Sequence, residues 1–68
     1  MEARTTSMIQ KFLEDNLPLS PIEFIVCDSN GFFEKRVSCT QMNDMNTLFR
    51  EMLNCIYLCG EVVVKYKD

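Results

Sequence analysis

Apolar and polar residues alternate along this chain with two different periods, and the switches between them mark its elements. From Thr5 to Leu17, Met8, Ile9, Phe12 and Leu13 recur at helical spacing, while Gln10, Lys11 and Glu14 fall on the opposite side. Thr5, Thr6 or Ser7 is placed to cap the N-terminus by accepting a bond from a free backbone N–H. Pro18 disfavours helical backbone at Leu17 and so sets the end of this helix.

The period then changes to two. Ile22, Phe24 and Val26 alternate with Glu23, Ile25 and Cys27; after Asn30-Gly31, Phe33, Val37 and Cys39 alternate with Phe32, Glu34, Arg36 and Ser38. Asn-Gly between two such runs predicts a hairpin with a two-residue type I′ turn, because both residues tolerate positive φ. That turn places Ile22 opposite Cys39, Phe24 opposite Val37 and Val26 opposite Lys35. The first set of side chains then forms a core face, and the second set faces the other way.

Helical spacing returns from about Gln41 to Cys59, with Thr40 as the expected N-cap. Leu48, Cys59, Met52, Met45, Ile56, Phe49, Met42 and Leu53 make one apolar arc, with Asn43, Asp44, Thr47, Arg50, Glu51 and Asn54 on the rest; Leu58 is out of place. Gly60 suits the left-handed position that stops a helix. In the last run, Val62, Val64 and Tyr66 point one way and Glu61, Val63, Lys65 and Lys67 the other, as in a half-buried strand.

The order α-β-β-α-β predicts an α+β fold with a three-stranded antiparallel sheet. A right-handed return through the second helix gives spatial order 2-1-3. The long helix covers the core face; the shorter N-terminal helix lies beside it or crosses to the other face. Lys35, Arg36, Lys65 and Lys67 on the outer strands discourage unwanted pairing, with the last strand as one edge.

Composition narrows the function. At 68 residues the chain makes one small domain, 1–68, of marginal stability. A net charge of −3 with dispersed bases argues against nucleic acid as a partner, and the ten acids form no stripe that would mimic phosphates. No run approaches the length of a membrane span, and Met1-Glu2-Ala3-Arg4 lacks the plan of a signal peptide, so a cytoplasmic protein with free thiols and no membrane association is expected. There is no histidine and no Gly-rich phosphate loop. Cys55 and Cys59 stand one helical turn apart, but Cys27 and Cys39 lie on opposite sheet faces, so no metal site and no cofactor are expected. Cys27, the thiol expected to be exposed on a strand near Arg36, is the one candidate for thiol redox chemistry. The methionines on the second helix read as core packing rather than a partner groove.

What remains is the second sheet face. Ile25, Cys27, Phe32 and Val63 form an apolar centre, with Glu23, Glu34, Arg36 and Lys65 around it, the usual anatomy of a contact surface. The expected function is therefore that of a non-enzymatic protein-binding module acting through this face or a strand edge. Its candidate partner-binding residues are Ile25, Cys27, Phe32, Glu34, Arg36, Val63 and Lys65. The partner is a protein of unspecified identity, or a second copy in a homodimer. Small ββαβ modules among phage-encoded inhibitors of host proteins and small bacterial regulators are similar in topology, which suggests an inhibitor or antitoxin-like regulator by analogy alone. The alternatives are a nucleic-acid-binding regulator and a small thiol redox protein.

Overall fold

The structure is a computed structural model that describes residues 2–3, 6–17 and 21–66. Its elements are β1 (Glu2–Ala3), α1 (Thr6–Asn16), β2 (Ile22–Cys27), β3 (Glu34–Cys39), a 3₁₀ turn (Met42–Asp44) leading into α2 (Met45–Cys59), and β4 (Val63–Tyr66). The sheet is antiparallel throughout, with order β1-β4-β2-β3. The expected α+β architecture is present, with β2 central between β3 and β4. The short β1 is an addition: Glu2 pairs with Lys65 and Ala3 with Val64, so β4 is not an edge. Two residues are too few to show a period of two.

Cross-strand register follows from the hydrophobic alternation. Ile22 pairs with Cys39, Phe24 with Val37 and Val26 with Lys35; on the other side Phe24 pairs with Tyr66 and Val26 with Val64. Ile22, Phe24, Val26, Val37, Cys39, Val64 and Tyr66 are all buried on one face.

Both helices cover that same face. Ile9 and Leu13 of α1 join Leu48 and Cys55 of α2 in one core with the sheet residues. Phe12 meets Tyr66 at 4.0 Å between ring centres and Phe24 at 6.4 Å, edge-on, while Phe24 and Tyr66 pack at 5.6 Å. The two placements left open for the N-terminal helix thus resolve to the side-by-side one, and nothing among the described residues lies over the opposite face.

The β2–β3 connection differs from the expected type I′ turn. That turn needs positive φ at both central residues, yet among the described residues only Gly31 (79°) and Gly60 (77°) have it. Asp28 organises a four-residue loop, Ser29 to Phe32, in its place. Its carboxylate accepts the N–H of Phe33 at 2.8 Å and of Asn30 at 3.2 Å, and its own N–H donates to the Phe33 carbonyl at 3.3 Å. A short carboxylate offers loop N–H groups a partner that competes with the tighter turn. Two-residue and four-residue loops close the same register, so the strand faces are unchanged.

The start of α2 is also built differently. Thr40 does not cap it by accepting; Asp44 accepts instead, from the N–H of Thr40 (2.7 Å) and Gln41 (3.2 Å) and from the Thr40 hydroxyl (3.1 Å). Gln41 occupies the N-cap position of the 3₁₀ turn. At the other end Gly60 is left-handed and donates its N–H to the Ile56 carbonyl at 2.7 Å, as its position implied. α1 ends at Asn16, whose side-chain amide donates to the Phe12 carbonyl. Thr5, Pro18 and Lys67 lie outside the described residues.

The apolar arc on α2 needs correction. Only Leu48 and Cys55 are buried there, and Cys55 was not part of the expected arc. Met45, Phe49, Met52 and Cys59 are half-buried, while Met42, Leu53 and Ile56 are exposed. A sheet already shared with α1 covers only a narrow strip of the helix. α2 is apolar over a wider arc than that strip, so the centre of its apolar arc does not mark the side that docks.

Candidate interaction surfaces

The first surface is the uncovered sheet face. Register brings Ile25 between Arg36 on β3 and Lys65 on β4, and Cys27 between Glu34 and Val63. Six of the seven candidate residues therefore belong to one connected patch. Ile25 and Val63 are half-buried, and Glu34, Arg36 and Lys65 are exposed. Glu23 and Arg36 make a diagonal ion pair at 3.6 Å. Both side chains are well exposed, so this pair contributes little to stability and leaves both charges available to a partner.

Cys27 is a correction. It is 8% exposed, not the open thiol that its position on this face suggested. Register sets it between Glu34 and Val63 on the central strand, and it is close enough to Cys55 of α2 to contribute to the raised Cys55 thiol. Phe32 lies in the loop at the end of the face and is 86% exposed. A phenylalanine left in water at the tip of a hairpin is the most conspicuous apolar group near this patch.

The loop beneath Phe32 is held firmly. Hydrogen bonding from Phe33 first, then from Asn30 and further backbone groups, lowers the Asp28 carboxyl below its ordinary value against the opposing effect of burial. Glu61 ties the loop to the start of the last strand: its Oε1 accepts the Ser29 N–H at 2.7 Å and also the Ser29 hydroxyl. Those bonds, the hydroxyl's first, lower the Glu61 carboxyl. A short acid beside a turn commonly bonds loop N–H groups, as Asp28 does here, but no local sequence pattern links Ser29 to Glu61. Residues that far apart in sequence meet only through the pairing of β2 with β4.

The second surface was missed. On α2, Leu53 is 66% exposed, Ile56 44% and Tyr57 88%. Spaced at i, i+3 and i+4, they share one helical face with half-buried Phe49. The signal was legible: α2 has more apolar residues than one sheet-facing strip can hide. Leu58, 67% exposed, falls on another side of the helix.

The thiols are largely withdrawn from solvent. All four are free, with Cys27, Cys39 and Cys55 buried and Cys59 half-buried. Burial pushes the thiols of Cys39 and Cys55 up to about 11 and raises that of Cys59. Cys55 Sγ donates to the Glu61 carbonyl at 3.2 Å. A raised thiol is mostly protonated at neutral pH and a poor nucleophile. Among the described residues no group of three or more His, Cys, Asp or Glu side chains could hold a metal, and no helix is long and apolar enough to cross a membrane.

Two shallow grooves flank α1. One is lined by Leu13, Glu14, Leu17, Thr40, Gln41 and Met42, the other by Met8, Lys11, Phe12, Asp15 and Tyr66. No protein-family model, curated protein or solved structure matches the chain.

Proposed function

We propose that this protein is a non-enzymatic protein-binding module that works through its open sheet face. One observation carries the reading: α1 and α2 share the other face, so among the described residues no element covers half-buried Ile25 and Val63 at the centre of a charged rim, with exposed Phe32 at its end. The rim holds both signs, Glu23 and Glu34 with Arg36 and Lys65, and its complement is a protein surface with an apolar projection and mixed charge. Nucleic acid is a poorer match, since two bases among acids do not make a phosphate-binding track. A small inhibitor or antitoxin-like regulator of the phage or bacterial kind acts by this sort of blocking contact. A reducing compartment such as the cytoplasm suits its free thiols.

The test is affinity capture with three baits: the wild type, Ile25→Asp with Phe32→Asp, and Leu53→Asp. The expected result is a defined protein held by the wild type and by Leu53→Asp and lost from the sheet-face double variant. Capture that is indifferent to the sheet-face changes, or no capture by a folded wild type, contradicts the proposal.

A further inference from the structure

The outer face of α2 is independent of the sheet face, and it has a symmetry of its own. About 3.6 residues per turn put Leu53 at its centre. Arg50 and Tyr57 then fall on one flank, Phe49 and Ile56 on the other, and Asn46 and Gly60 lie one turn-pair before and after Leu53 along the middle. We infer that this face is the twofold interface of a homodimer in which two α2 helices pack antiparallel about Leu53.

A twofold that relates antiparallel helices sets like flank against like flank and reverses the direction along it. Leu53 therefore meets Leu53 of the second copy. On one flank the part of each Phe49 that is not packed on the core reaches the other copy's Ile56, an apolar contact. On the other flank each Arg50 reaches the other copy's Tyr57, within one residue's rise of level, which allows the guanidinium to stack on the ring. Asn46 faces Gly60, a pairing small enough to let the helix ends approach. Any helix pairs these positions under reversal; here the paired residues also match in chemistry, apolar with apolar and cation with ring.

Charge agrees. The chain carries a net −3, yet this face bears no acid. Arg50 is its only charge, and Glu51 points to another side, where it accepts from Asn54 at 2.8 Å. Two acidic molecules thus meet here without opposing carboxylates. The area is enough for a modest affinity. A 15-residue helix is ~22 Å long, so one face of it makes a contact at the small end of the range for specific complexes. A dissociation constant in the micromolar range is expected.

Analytical ultracentrifugation of the wild type up to ~500 µM tests the interface, since micromolar association lies well inside that range. A reversible monomer–dimer equilibrium is expected. Leu53→Asp and Tyr57→Glu, both at exposed positions, should weaken it by about tenfold or more with unchanged circular dichroism. Ile25→Asp with Phe32→Asp should leave it intact, which separates this inference from the sheet-face proposal. Under mild oxidation Leu53→Cys should cross-link to itself above the wild-type background, and Thr47→Cys, off the face, should not. A monomeric wild type throughout the range overturns the inference. So does a dimer that survives Leu53→Asp, or one split by the sheet-face variant.

Discussion

Asp28 does the most among single residues. It follows β2, is 5% exposed, and gives its two oxygens to separate loop N–H groups. Asp44 plays the same part before α2, where hydrogen bonds from Thr40 and then Gln41 lower its carboxyl, and Glu61 does so between the loop and β4. All three are depressed in the folded chain. Their contribution is therefore complete above the ordinary carboxyl values, 3.8 for aspartate and 4.5 for glutamate, and is lost as pH falls through the lower folded values. The melting temperature should hold steady from pH 7 to about 5 and drop steeply below about 4. Asp28→Asn should melt several degrees lower at neutral pH and show a shallower acid limb. An acid limb as steep as the wild type's would remove Asp28 from this role. The thiols work in the other direction. With Cys39 and Cys55 raised to about 11, their contribution is present below the ordinary value of 9.0 and fades as pH climbs through 11.

At the scale of elements, the strands and the helices were not equally legible. A strand has a period of two, so one correct pairing determines every face. Hence Phe24 opposite Val37 and the open-face group of Ile25, Arg36, Val63 and Lys65 all followed from alternation. A helix offers a continuum of rotations. In α2 the apolar arc is wider than the buried strip, so sequence could not say which part of it meets the sheet. Phe49 illustrates the consequence: it belongs to the apolar arc but is only half-buried, whereas Phe24 is 0% exposed and touches two other rings. Phe24→Ala should cost about 3–5 kcal/mol and unfold most molecules of so small a domain. Phe49→Ala should cost only about 1–2 kcal/mol, because part of its surface is already in water. Urea unfolding of the two variants checks the order. A Phe49→Ala protein less stable than Phe24→Ala would place the core elsewhere.

In the whole molecule, the arrangement of layers decides what is available for binding. Among the described residues, two helices on one face leave a two-layer structure with one bare sheet surface and one surplus helix surface. They lie on opposite sides, so the proposed partner contact and the inferred dimer contact do not compete. Sequence alone could not settle whether α1 covered the open face, because its apolar stripe of Ile9, Phe12 and Leu13 suits either side. Packing against Phe24 and Tyr66 decides it. The Asp28 loop was partly hidden for a similar reason: Asn-Gly is a strong local signal, and the carboxylate next to it outweighs that signal. The open face is tested most directly by hydroxyl-radical footprinting of the protein alone and bound to its captured partner. Phe32 should label rapidly in the free protein, as its exposure dictates, and become protected together with Ile25 and Val63 in the complex, while Leu53 and Tyr57 show no partner-dependent change. A complex in which Phe32 labels as fast as in the free protein, or in which protection falls on α2 alone, would contradict the assignment of the sheet face.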